Sequence, residues 1–147
     1  GVKPADTLWD VGAGTGSVSV ELALAAPLGQ VYAVECEPDA CALIRKNREK
    51  FRAYNLTLTE GRAPEALADL PAPDAVFIGG HGGRLADMLA RIRKVLLPEG
   101  CIVINSVSAE SREAFCTGIH NLGMKLCPPL HVALNDYNPI DILKATF

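Results

Sequence analysis

Residues Leu8–Gly16 read L-W-D-V-G-A-G-T-G: a short apolar run carrying the acid Asp10, then glycine at Gly12, Gly14 and Gly16. The next stretch, S-V-S-V-E-L-A-L-A-A, predicts a helix that Pro27 stops. Strand, glycine-rich turn and helix are the opening of a nucleotide-binding βαβ unit. Glycine suits such a turn because it takes backbone angles that other residues resist. The start of the following helix also offers unpaired N–H groups to a ligand. The glycines fall as G-x-G-x-G, one residue short of the G-x-G-x-x-G of dinucleotide sites. The competing reading is a purely structural turn, and three glycines this close together argue against it.

The rest of the unit follows at once. Gly29 turns the chain into Q-V-Y-A-V-E, a strand over Gln30–Glu35. Glu35 therefore ends a strand about 20 residues beyond the loop, where an acid accepts hydrogen bonds from ribose hydroxyls. Its two oxygens suit a vicinal diol. A solvated charge at a strand end is the alternative, and Glu37 would then be equivalent.

Composition narrows the field. The chain has 147 residues, 49% of them apolar, which is one domain's length and enough for a core. Its formal charge is −3 with no basic run, which argues against a nucleic-acid surface. No apolar stretch reaches the roughly 18 residues of a membrane span. The cysteines, Cys36, Cys41, Cys101, Cys116 and Cys127, are odd in number and never spaced C-x-x-C. That argues against a zinc or disulfide framework and reads most of them as small core residues in a reducing, cytoplasmic setting.

Farther along, Pro38–Tyr54 reads as a helix with Ala40, Leu43, Ile44 and Phe51 on one face and Arg45, Lys46, Arg48 and Glu49 in water. Leu56–Thr59 is a short strand leading to Gly61-Arg62-Ala63. Asp74–Ile78 reads as a buried strand, followed by G-G-H-G-G-R. Glycines around a histidine at that edge allow mobility and close ligand approach. Arg84–Leu97 is amphipathic, with Leu85, Met88, Leu89, Ile92, Val95 and Leu96 inward. Cys101–Asn105 is a strand, Ser108 caps a helix through Leu122, and Gly123 ends it. Met124–Val132 is a poorer strand because Pro128 and Pro129 interrupt it. Asn138-Pro139 leads into the last strand, I-D-I-L-K-A-T-F.

Alternating strands and helices imply an α/β fold with a parallel sheet covered on both faces. No helix separates the last two strands, so they pair antiparallel. Asp-x-Gly-x-Gly-x-Gly at Asp10–Gly16 resembles the first motif of the S-adenosylmethionine-dependent methyltransferases. The resemblance implies a Rossmann-like seven-stranded sheet in the order 3-2-1-4-5-7-6. It also implies a cofactor site built from Asp10, Gly12, Ala13, Gly14, Thr15, Gly16, Glu35, Cys36, Gly61, Arg62, Ala63 and Gly79. The G-D-A-like adenine segment of that superfamily is matched at Gly61 and Ala63 and departs at Arg62, which cannot accept a hydrogen bond from the adenine amino group.

Four segments together carry a narrower resemblance: L-W-D-V-G-A-G-T-G-S-V-S-V-E, V-F-I-G-G-H-G-G-R-L, I-V-I-N-S-V-S-A-E-S and N-P-I-D-I. They resemble the decarboxylating precorrin-6B C15-methyltransferases of cobalamin synthesis, which occur alone or as the C-terminal half of a two-methyltransferase fusion. The resemblance implies methyl transfer from S-adenosylmethionine to carbon 15 of a tetrapyrrole, with loss of carbon dioxide from the acetate on carbon 12. No metal or covalent nucleophile is required. The substrate is a polycarboxylate, so Arg62, His81, Arg84 and Arg112 are candidate anchors. His81, Arg84 and Asn105 are the candidate catalytic residues, with no general base assigned. The reading expects a single methyltransferase domain over residues 1–147 without the family's N-terminal helical segment. It expects a homo-oligomer, fused to or working with a second precorrin methyltransferase, and neither nucleic acid nor membrane as partner. A tRNA or other RNA methyltransferase shares the first motif but would need a basic surface or an N-P-P-Y-like segment. A non-catalytic cofactor-binding subunit is the remaining alternative.

Overall fold

The computed structural model describes residues 1–106, 108–133 and 140–147. Strands β1 (Thr7–Val11), β2 (Gln30–Glu35), β3 (Leu56–Glu60), β4 (Ala75–Ile78) and β5 (Cys101–Ser106) are parallel to one another. Helices α1 (Ser17–Ala25), α2 (Pro38–Lys50), α3 (Leu85–Val95) and α4 (Ala109–Asn121) connect or follow them. Two short strands, β6 (Lys125–Leu126) and β7 (Leu130–Val132), and the long β8 (Ile140–Thr146) complete the sheet. The order is β3-β2-β1-β4-β5-β8-β6, with β7 also on β8. β8 runs antiparallel to β5, β6 and β7.

This is the expected order with eight strands rather than seven. The extra strand comes from Pro128 and Pro129, which lie between β6 and β7 and split the sixth strand in two. Proline cannot donate to a ladder, so pairing with β8 lapses there and resumes at Leu130. Asn138-Pro139, expected to lead into the last strand, and Val107 lie outside the described residues.

The alternation of side chains across each strand assigns the two faces. Trp9, Val11, Val76, Ile78, Ile102, Ile104, Leu143 and Ala145 form one core with Leu85, Leu89 and Ile92 of α3 and with Phe115 and Ile119 of α4. Leu8, Val31, Ala33 and Leu56 form the other with Val20 and Ala23 of α1 and Ile44 of α2. On this second face Ala75, Phe77, Cys101, Val103 and Thr146 are only half-buried. They line an apolar cavity of about 480 Å³ together with Leu22 and residues 1–3. Asp74–Ile78 is thus buried on one side only.

Two other expectations are corrected. α2 ends at Lys50, four residues early, because Arg52 turns left-handed at φ 53° and Ala53 N–H bonds Arg48 O. Its inward positions are Cys41 and Ile44, while Leu43 and Phe51 are exposed. Of the cysteines only Cys41 is buried: Cys36 is exposed and the other three are intermediate. Among the described residues no helix is long and apolar enough to cross a membrane.

Candidate cofactor and acceptor site

The site lies where ligands bind open α/β sheets, outside the carboxyl ends of the strands; the larger apolar cavity lies lower on the sheet, against the N-terminal halves of β1, β4 and β5. The glycine loop leaves β1 with Gly12 N–H and Ala13 N–H both donated to Val34 O, at 2.9 and 3.1 Å. Gly12 has φ +70°, and a Cβ there would stand 2.3 Å from Gly80 O. A Cβ on Gly79 would stand 2.8 Å from Gly12 O. The loops after β1 and β4 therefore pack backbone on backbone. Gly79 and Gly80 serve that contact, whereas Gly82 and Gly83 face open space. Gly14, at φ +58°, also has nothing within 4 Å of a built Cβ, so its outer side is open. Asn47 of α2 donates to Thr15 O at 2.8 Å and holds the loop from above, while Thr15 Oγ1 and Ser17 Oγ pair at 3.0 Å. Gly16, at φ +82°, caps α1.

Two carboxylates flank this loop. Asp10 is 1% exposed and takes a hydrogen bond from Ser19 Oγ of α1. Its other oxygen, Oδ1, is buried with no partner among the described residues. Burial pushes its pKa from 3.8 up to about 6; the Ser19 contacts oppose this and the Glu35 charge adds to it. Glu35 is 8% exposed. Its Oε1 accepts from Gly14 N–H at 2.8 Å, and its Oε2 accepts from Cys36 N–H at 2.8 Å and Glu37 N–H at 2.9 Å. Oε2 is filled by two backbone donors, so Oε1 keeps the remaining acceptor capacity toward a diol.

Next to them a cleft of about 220 Å³ is lined by Gly12, Val34, Glu35, Cys36, Gly61, Arg62 and Ala63 on one side. Gly80, His81, Gly82, Arg84 and Met88 line the other. Six of the sequence-derived cofactor residues line it. Asp10, Ala13, Gly14, Thr15, Gly16 and Gly79 do not, and surround or support it instead. Arg84 donates twice to Glu65, at 2.7 and 2.9 Å, tying the loops after β3 and β4 across the cleft mouth. Mutual attraction lowers the Glu65 pKa and raises that of Arg84.

His81 Nδ1 accepts from Gly83 N–H at 3.2 Å, which assigns the ring proton to Nε2, 3.2 Å from Ser111 Oγ on α4. Asn105 is exposed at the end of β5 and, alternating with Ser106, projects to the opposite face. The three catalytic candidates are therefore not brought together. Arg112 instead meets Asp141 of β8 at 2.8 Å, and His131 of β7 bonds the other oxygen of that carboxylate. Sequence reading missed Ser19, Glu65, His131 and Asp141, and it placed Gly80 in the acceptor loop without its packing against Gly12. Only Asp141, an acid inside an apolar strand, carried a visible signal.

A sequence model of the family described as "Precorrin methyltransferase domain" matches residues 1–143. A Sinorhizobium protein named precorrin-6Y C(5,15)-methyltransferase (decarboxylating) is 43% identical over 108 residues, 74% of this chain and 26% of that protein. A Pyrobaculum calidifontis protein named probable cobalt-precorrin-6B C(15)-methyltransferase (decarboxylating) is 42% identical over 120 residues, 80% of this chain and 60% of that protein. The crystal structure of a precorrin-6Y C5,15-methyltransferase from Geobacter metallireducens superposes with a TM-score of 0.91 at 36% identity, covering 97% of this chain and 80% of that one. The chain thus spans about a quarter of the first relative and three-fifths of the second. The glycine loop with its two flanking carboxylates, the sheet order and the family match agree: this chain belongs to the precorrin methyltransferase domain family.

Proposed function

We propose that the chain transfers a methyl group from S-adenosylmethionine to carbon 15 of a precorrin-6B-type tetrapyrrole and promotes loss of carbon dioxide from the carbon-12 acetate. The relatives' names support the reaction class. The observation that carries the cofactor reading is the pair of buried acids at the ends of adjacent strands, Asp10 with an unpaired oxygen and Glu35 with one open acceptor position. These fit a ligand with an ammonium group at one end and a ribose diol at the other. Asp10 and the loop over Gly12–Gly16 would hold the amino-acid part. Glu35 Oε1 would hold the ribose, and Cys36, Gly61, Arg62 and Ala63 the adenine. With no carboxylate at position 62, adenine recognition falls to backbone groups. Bound there, the sulfonium supplies an electrophilic methyl.

The chain's own contribution is placement. The backbone packing of Gly12 against Gly80 fixes the two loops that would hold donor and acceptor, which is the proximity term of catalysis. His81 and Arg84 border the acceptor side. Arg84 would meet a substrate carboxylate while sharing its charge with Glu65 and Asp87. Asn105 stands on the far face of β5 and would contact only an acceptor that overhangs the sheet edge. The test is calorimetric titration with S-adenosylhomocysteine and with NAD. Binding of the first and not the second is expected; equal binding, or NAD alone, overturns the cofactor assignment.

A further inference from the structure

At the C-terminal edge of the sheet, Asp141 lies opposite Ser106 on β5 and opposite His131 on β7. Directly opposed residues share a face. Here it is the face covered by α4, which is why Arg112, in the first turns of α4, reaches the same carboxylate. Asp141 is 17% exposed, while Arg112 and His131 are 51% and 63% exposed. The acid is the inner member, and its two partners face outward. The neighbouring acids of α4, Glu110 and Glu113, line the groove toward Ala86 and α3 instead. The Arg112 guanidinium spends one nitrogen on Asp141, and its remaining donors have no partner among the described residues.

We infer that Arg112 and His131, held side by side by Asp141, form a remote anchor for a peripheral carboxylate of the tetrapyrrole, with Asp141 as the positioning residue. This rests on the function proposed above. Two readings compete with it, and distance separates one of them. From β4 the sheet runs through β5 and β8 to β7 in steps of about 4.8 Å, so Asp141 on β8 stands about 10 Å, and His131 on β7 about 14 Å, from the strand end that leads to Gly80. A His–Asp pair that moved protons at the methylated carbon would have to lie within hydrogen-bond reach of the reacting atoms. His131 stands three strands from the cleft, remote from that position, whereas an acid side chain on the rim of a macrocycle centred over the edge can reach it. His81 and Ser111, bonded to each other, lie between the cleft and this anchor. The other competing reading is a tie that only secures β8 to α4, and it is separated by experiment.

The full chain is titrated with S-adenosylhomocysteine, uroporphyrin I and coproporphyrin I, the last a tetrapyrrole with fewer carboxylates. Arg112→Ala should weaken uroporphyrin binding about fivefold, the most that a half-exposed ion pair commonly contributes. It should reduce the preference for uroporphyrin over coproporphyrin and leave S-adenosylhomocysteine affinity unchanged. Arg112→Lys should restore most of the loss, since it keeps the charge. Unchanged uroporphyrin binding in Arg112→Ala refutes the anchor. So does an equal loss for S-adenosylhomocysteine, because a structural tie would loosen both sites. A wild-type chain that binds S-adenosylhomocysteine but neither porphyrin overturns the acceptor half of the proposed function, and the anchor with it.

Discussion

The buried carboxylate Asp10 contributes a loss of stability to the free protein as pH rises. It is 1% exposed, one oxygen has no partner, and burial raises its pKa from 3.8 to about 6. Between these values the folded chain holds a proton that the unfolded chain has released, so raising the pH favours unfolding. At about 1.4 kcal/mol for each tenfold change in proton affinity, the penalty above pH 6 is about 3 kcal/mol. It is absent below the unfolded value near 3.8. Asp10→Asn keeps the shape and removes the titration. The assay is guanidinium unfolding of both proteins between pH 4 and 7.5. All other groups cancel in the difference, and so does any fixed cost of burying the amide. Wild type should lose about 2.4 kcal/mol relative to the variant across that range. Excess S-adenosylhomocysteine should shrink the loss, because a ligand ammonium beside Oδ1 favours the carboxylate. A difference that does not vary with pH refutes the burial of an unpaired charge at Asp10.

Four further outcomes follow from the geometry of the site. Gly12→Ala should destabilise the fold, by about 1–2 kcal/mol for its positive φ and about 1–3 kcal/mol for the clash with Gly80. Gly14→Val faces open space, so it should fold with only the backbone strain yet abolish S-adenosylhomocysteine binding; unchanged calorimetric affinity would show that the ligand lies elsewhere. Glu35→Gln leaves one of three backbone N–H donors without an acceptor, costing about 1–3 kcal/mol of stability; its loss of affinity should be large for S-adenosylhomocysteine and small for methionine, which has no ribose. Arg84→Ala should leave the melting temperature unchanged and weaken the tetrapyrrole more than S-adenosylhomocysteine; the reverse order would assign the Gly79–Arg84 loop to the cofactor.

Local signals were legible in the sequence wherever one residue type fixes one conformation. The strand Gln30–Glu35 was read to the residue from its apolar run and the glycine before it. Ser108 caps α4 as its side chain required, accepting from Ser111 N–H. The paired prolines weakened the sixth strand as expected, but whether they end it or only bend it depends on β8 offering partners on both sides. The inward face of α2 was misjudged because Leu43 and Phe51 are apolar without being needed. The helix packs through the closely spaced Cys41 and Ile44 alone, and it stops where Arg48 turns its side chain to Tyr54 O and Leu56 O.

What sequence could not supply was contact across the topology. Gly12 and Gly80 are adjacent because β1 and β4 are neighbours, although far apart in the chain. This contact changes the meaning of the second glycine cluster from mobility to close packing at Gly79 and Gly80. Glu35 looked like a free diol acceptor, yet the chain's own turn into α2 fills one of its oxygens. Arg84 looked like a free cation, yet Glu65 reaches it from the loop after β3. His131 and Asp141 meet only because β7 returns beside β8.

The proposed reaction adds one methyl group to a tetrapyrrole and removes one carboxyl group. The direct measurement is mass spectrometry of a precorrin-6B-type substrate incubated with the protein and S-adenosylmethionine carrying a labelled methyl group. A single product that has gained one labelled methyl and lost one carbon dioxide is expected, with no such product from Gly14→Val. Label retained entirely in S-adenosylmethionine by a chain that binds both ligands would contradict it.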